Sequence, residues 1–213
     1  MKRNDQKRFL PVFRLCGMLF LVLAVGRVYA EDVAKPVTLS KQAVLLKVPF
    51  EKQETPRQCG LAAANMLCAY YDQKLNDTHK DWLQTLSKSG DGIMGAEMMA
   101  VLRAADYETA VFPGTMDDKG AVEDKKTGLY YHLNKGRPLI VMITSKDGKS
   151  SHYDVLTGYD PRKSLLLLLD PATGPVTVST KDFIPAWERA NRFTLLAVPK
   201  KVVEEEAKKK ANR

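Results

Sequence analysis

The sequence predicts an α+β fold, with a helical part first and a run of strands after it. Three observations carry this reading. Leu61 to Tyr71 is rich in Ala, Leu and Met and lacks proline and glycine, so it reads as a helix. Leu139 to Thr144 is an unbroken apolar run, the pattern of a strand buried on both faces. Ser151 to Tyr159 and Ser164 to Pro171 flank the turn Asp160-Pro161-Arg162-Lys163, which makes them a hairpin. Helices packed to one side of a mainly antiparallel sheet follow from that order.

The chain begins with an appendage. Lys2, Arg3, Lys7, Arg8 and Arg14 form a basic start, and Leu15 to Gly26 is an apolar run too short to span a bilayer. Val28-Tyr29-Ala30 then suits signal peptidase, so residues 1–30 read as a secretory signal peptide cut after Ala30. The alternative is an uncleaved N-terminal anchor, and the membrane is then met through this segment alone. Cys16 opens the apolar run rather than following it, which does not fit a lipidation site.

Residues 31–43 are a polar lead-in, and residues 44–199 form the domain. Val44 to Phe50 reads as a short strand leading into the polar loop around Gln53. The helix from Gly60 to Tyr71 follows. Thr78 to Asp81 reads as the capped start of a short helix through Trp82, Leu83 and Leu86. Ser89 to Gly92 is a turn, and Met98, Met99, Val101 and Leu102 supply the buried face of a helix over 95–105. Tyr107 to Phe112 is a strand, and residues 120–134 read as a helix with Leu129, Tyr130 and Leu133 on one side. Val176 to Val178 is a strand, Ser179 or Thr180 caps a helix through Phe183 and Trp187, and Phe193 to Val198 is the last strand. Residues 200–213 are charged, show no packing face, and read as a disordered tail or a frayed helix.

Charge excludes one class of partner. The chain carries a net charge of +8. Residues 1–30 hold six Lys or Arg and one Asp, and residues 200–213 hold six basic and three acidic residues, so the domain between them is near neutral. Nothing in it asks for nucleic acid. Cys59 and Cys68 are the cysteines of the mature chain, nine residues apart on one expected helix, or about 13 Å along its axis. A disulfide needs Cα atoms within about 7 Å, so these two do not pair. Cys68 falls on the opposite face and reads as core.

Cys59 sits where loop becomes helix. There the unpaired N–H groups and the positive end of the macrodipole favour an anion, and a thiolate is one. The plain alternative is a small buried residue helping the helix pack. Gln53 brings an amide donor into the same loop, the kind of group that stabilises a developing oxyanion. A hairpin centred on Pro161 sets His152 opposite Asp170, so the carboxylate can fix the imidazole tautomer and leave the other ring nitrogen for a thiol. Taken alone, His152 also fits a satisfied strand histidine and Asp170 a turn residue. Together the four supply a nucleophile (Cys59), a base (His152), an orienting carboxylate (Asp170) and an oxyanion donor (Gln53). His79 reads as a solvated first-turn residue and His132 as a surface or rim histidine. With no Cys-x-x-Cys or His-x-x-x-His spacing, no metal and no cofactor is expected. The glycines from Gly90 to Gly95 do not follow a strand and make a poor phosphate loop.

These residues resemble a known family. Gln53, five intervening residues and Cys59-Gly60 before an Ala-rich helix are similar to the bacteriocin-processing cysteine peptidases, which trim double-glycine leader peptides. So are His152 opening the strand that ends Thr157-Gly158-Tyr159, and Asp170-Pro171 closing the next. The resemblance covers roughly residues 45–198. It implies a papain-like fold, with Gln53 in the oxyanion hole, Cys59 as nucleophile, His152 as base and Asp170 as orienting group. It also implies a peptide or protein substrate, with cleavage after small residues such as Gly-Gly.

The best-known members precede a membrane-spanning exporter and face the cytoplasm, whereas this sequence opens on an export signal. The expectation is therefore a stand-alone, exported, periplasmic or secreted monomer. Two alternatives come from other classes. One is a module that holds a peptide or envelope protein without cutting it. The other is a different acyl-transfer enzyme, transglutaminase-like or a cell-wall amidase.

Overall fold

The computed structural model describes residues 37–88, 92–116 and 127–212. The signal peptide expected over residues 1–30, the start of the lead-in, most of the Ser89–Gly92 turn and the first part of the 120–134 helix lie outside the described residues.

Strand β1 (Val44–Leu45) is shorter than its apolar run suggests. Pro49 has no N–H to give a ladder, and Val48 N–H turns back to the Leu46 carbonyl at 3.0 Å. A 3-10 turn over Pro56–Gln58 leads into helix α1 (Cys59–Tyr70). Helix α2 (Asp77–Lys88) starts one residue before its expected cap, because the Asn76 side chain accepts from the His79 N–H at 2.9 Å. Helix α3 (Gly95–Ala104) and strand β2 (Tyr107–Pro113) follow. Next come α4 (Leu129–Asn134), β3 (Leu139–Thr144), β4 (Ser151–Asp160), β5 (Leu165–Asp170) and β6 (Gly174–Ser179). The chain closes with α5 (Thr180–Arg189), β7 (Phe193–Pro199) and α6 (Lys200–Ala211). Ser179 caps α5 as expected, its hydroxyl accepting from the Asp182 N–H.

The strands form one antiparallel sheet in the order β2-β7-β3-β4-β5-β6, with β1 also on β4. β3 pairs with residues 151–156 of β4, and β1 pairs with Gly158 and Tyr159 beyond it, so the two share one edge of β4. Glycine is needed at 158, since a Cβ there would overlap the Val44 carbonyl oxygen.

Each face of the sheet carries a core. On one face, Met66, Leu67, Met98, Val101 and Leu102 of α1 and α3 pack on Ile140, Val155, Leu169 and Leu195. Each such side chain contributes about 1.5–3 kcal/mol by leaving water. Ala62, Ala63 and Ala64 keep α1 slim at the contact and are 0–2 % exposed. On the other face, Leu129 and Leu133 of α4 and Phe183 and Trp187 of α5 cover Val141, Leu156 and Leu168. Helices therefore flank the sheet on both sides, where the sequence suggests one. The short 129–134 pattern and the Pro185-containing segment hide how much apolar surface α4 and α5 bring.

Residues 200–211, expected as a disordered tail or a frayed helix, form a helix. Lys, Glu and Ala favour helix intrinsically, and two ion pairs fasten α6: Lys200 with Asp106 at 2.7 Å, and Glu206 with Arg137. None of its residues is buried, which is why no packing face shows in the sequence. His132 is another correction. It is 1 % exposed rather than at a rim, with its ring against Phe112 and Tyr131. Among the described residues, no helix is long and apolar enough to cross a membrane.

Candidate active site

Cys59 is the first residue of α1. Polar residues and Pro56 confine the approach to the 3-10 turn, and the Ala-rich run that starts at Leu61 holds the helix on the sheet. The Gln58 side chain fixes that turn by accepting from the Thr55 N–H at 3.0 Å. Gly60 lets α3 come close, because a Cβ there would meet Met98 Cε at 2.9 Å.

His152 is the second residue of β4, on the same face as Asp154 two residues on. Its Nε2 lies 2.7 Å from Asp170 Oδ1. The expected contact is therefore present, but the register behind it differs. β4 and β5 pair Val155 with Leu169 and Leu156 with Leu168, then slip by one at a bulge between Leu156 and Gly158. Continued outward, that register sets Asp170 opposite Asp154. His152 reaches Asp170 on the diagonal, two residues along the strand.

The ring also has Cys59 for a neighbour, close enough for each to perturb the titration of the other. Burial pushes the Cys59 thiol up, but the His152 hydrogen bond, the N–H groups of Tyr153 and Gly60 and the imidazole charge together bring it below its ordinary value. Burial pulls His152 down, but the Cys59 hydrogen bond, the Asp154 charge and Asp170 raise it to about 9. A lowered thiol beside a raised imidazole is the condition for a thiolate–imidazolium pair. Desolvation opposes the Asp170 charge, but the Thr173 hydroxyl, the Ala172 N–H and His152 hold its carboxyl below the usual range. Cys68, by contrast, is driven up to about 12 by burial in the core.

Gln53 is tied to the same end of the hairpin, its N–H donating to the Pro171 carbonyl at 2.9 Å. Its side-chain Nε2 donates to the Thr55 carbonyl at 3.0 Å, so the amide is held within its own loop. Gln53 also lines a cavity of about 460 Å³ with Gln58, Leu61, Ala62 and Asn65. Among the described residues, Gln53 Oε1 and Asn65 Oδ1 are buried without a hydrogen-bond partner, two acceptors that peptide N–H groups would satisfy.

A profile of the Peptidase_C39 like family matches residues 45–194. The chain belongs to that family. Solved structures agree on the fold of this C39-like chain. The peptidase domain of Streptococcus ComA, a bi-functional ABC transporter involved in a quorum sensing pathway, is 18 % identical at a TM-score of 0.52, over 70 % of this chain and 97 % of that one. A double glycine motif protease from an AMS/PCAT transporter, solved with its leader peptide, is 20 % identical at 0.50, over 76 % and 99 %. A protein described as a C39-like peptidase from Bacillus anthracis is 18 % identical at 0.56, over 74 % and 98 %. No curated protein matches.

Reading the C39-like chain by sequence missed one residue at this site. Asp154 is 5 % exposed, and its Oδ1 lies 3.6 Å from His152 Nε2. The signal was available, since His-x-Asp on a strand puts both side chains on one face. His152, Asp154 and Asp170 bring donor atoms within 4.8 Å of one another, the types a divalent cation takes. Both Asp170 oxygens are already spent: Oδ1 on His152 and Ala172, Oδ2 on Thr173.

Proposed function

We propose that this chain is an exported cysteine peptidase that hydrolyses a peptide bond through Cys59, His152 and Asp170. The observation that carries the reading is the His152 ring hydrogen-bonded to Asp170 beside the Cys59 thiol, with the thiol lowered and the imidazole raised. Family membership supports hydrolase chemistry on this scaffold, and the signal-like residues 1–30 support export.

His152 takes the thiol proton, and the Cys59 sulfur attacks the scissile carbonyl carbon. The carbonyl oxygen becomes an oxyanion. The Cys59 N–H at the start of α1 and the Gln53 amide, once it leaves the Thr55 carbonyl, stabilise it. The imidazolium then protonates the leaving amine, and a thioester remains on Cys59. Water, deprotonated by His152, attacks the thioester and releases the new carboxylate. Asp170 keeps the ring turned toward the sulfur throughout. The leader-bound double glycine motif protease supports a peptide substrate held extended, with small residues such as Gly-Gly before the cut.

The test is cleavage of a peptide library that includes Gly-Gly sequences, with products mapped by mass spectrometry for the full chain and for Cys59→Ala. Cuts made by the wild type and absent in Cys59→Ala support the reading. Peptides retained but never cut would leave a binding module instead, and cell-wall fragments cut in place of peptides would point to an amidase.

A further inference from the structure

Asp154 has no part in the three-residue mechanism, yet it is an acid buried in the body of the sheet. By strand alternation it shares a face of β4 with His152 and with Leu156 of the second core. Its neighbour across β3 is Val141, which brings no charge. From β5 it faces Asp170, and along its own strand it faces His152, beyond which lies the Cys59 thiol. On α5, Arg189 donates its Nε–H to the carbonyls of Thr144 and Ser145, and among the described residues it forms no ion pair with Asp154. The Asp154 Oδ1 atom is buried and accepts no hydrogen bond among the described residues. Among the described residues, the cation it meets is the His152 ring, at 3.6 Å. That is too long for a hydrogen bond and well within range of a charge interaction.

We propose that Asp154 is a second positioning carboxylate for the peptidase site, holding the His152 ring with Asp170 and stabilising its charged form. The inference rests on the peptidase reading. Two acids then flank one imidazole and divide the work. Asp170, fixed by Ala172 and Thr173, accepts the ring hydrogen bond and sets its orientation. Asp154, whose buried Oδ1 accepts no hydrogen bond among the described residues, supplies field. A charge in a dry place acts strongly on its neighbour, because little water screens it. The same dryness raises Asp154 to about 7, so its ionisation falls within the neutral range. The two carboxyls and the imidazole therefore titrate as one coupled unit.

The geometry makes a directional statement. With Asp154 ionised, the imidazolium persists to higher pH, and so does the ion pair with Cys59. With a neutral residue at 154, the imidazolium loses its proton earlier, while the hydrogen bond to Asp170 still orients the ring.

The experiment is an NMR titration of the histidine ring signals in the full chain, which has three histidines. His152→Gln assigns the relevant signal by its loss. Wild type is compared with Asp154→Asn and Asp154→Val, the latter matched to an apolar surround in case the amide is not accommodated. The alkaline limb of Cys59 alkylation by iodoacetamide is followed alongside. Both variants are expected to lower the His152 midpoint by about one pH unit, and to move the alkylation limb with it. An unchanged His152 midpoint in a folded variant overturns the role of Asp154 and leaves the peptidase reading standing. A wild-type His152 that titrates like a free imidazole, beside a Cys59 that titrates like a free thiol, overturns both.

Discussion

Cys59 and Cys68 stand nine residues apart on one helix, and their thiols are shifted in opposite directions. Both are reduced and buried, so depth alone does not separate them. The difference is the company at the helix start: an imidazole and two N–H groups for Cys59, the apolar core for Cys68. Brief treatment with iodoacetamide near pH 7 is expected to label Cys59 and spare Cys68 in the folded protein, with equal labelling after denaturation. Peptide mapping reads the ratio, and equal labelling of the native chain would contradict the assignment.

Activity is expected to follow a bell-shaped pH curve. It rises as Cys59 ionises below its ordinary thiol value, and falls as His152 loses its proton near 9. The stability contribution of His152 runs the same way. Its pKa is raised from 6.5, so its contribution is complete below that value and is lost as pH rises through about 9. Asp170 acts at the other end: its pKa is lowered, so its contribution is present above the ordinary carboxylate value and is lost on acidification. Thermal melts from pH 3 to pH 10 should show both flanks. His152→Ala should flatten the alkaline flank and cost about 10³-fold or more in turnover.

Gln53→Ala should separate binding of charge from creation of the nucleophile. The amide is assigned to the oxyanion, not to the thiol, so Cys59 alkylation should keep its wild-type rate and pH profile. Turnover should fall by about 10²–10³-fold. A slowed alkylation would show that Gln53 instead shapes the thiol's surroundings.

Gly158→Ala should weaken the fold far from the site. A Cβ would overlap the Val44 carbonyl oxygen, so β1 must leave β4 or the sheet must bend. Overpacking of this kind costs about 1–3 kcal/mol, visible as a lower urea midpoint. If β1 is dispensable to the site, residual activity per folded molecule should be unchanged.

Much of this arrangement is legible in the sequence, and what is not has identifiable physical causes. The turn at Pro161 is visible and brings His152 near Asp170. The bulge before Gly158 is not visible, because Thr157-Gly158 reads as ordinary strand. The diagonal contact survives because aligned strands place neighbours two residues apart within reach of a long side chain. Asp154 is buried by sheet neighbours distant in sequence, Val141 of β3 and the Asp170 end of β5, which its own strand does not announce. His132 was misplaced because α4 is too short for a clear periodicity, and its burial depends on β2 and α4 meeting. The α6 helix rests on charge pairs with Asp106 and Arg137, which are distant in sequence.

The site is divided along the chain. Gln53 and Cys59 come from the segment before α1 and its first turn, while His152 and Asp170 come from β4 and β5. A ribosome makes the Cys59 sulfur 93 residues before the His152 ring. For that interval the nascent thiol lacks its imidazole and has the sluggish chemistry of any free cysteine. Under the proposed peptidase reading, reactivity follows closure of the sheet, and a half-made or unfolded copy is inert.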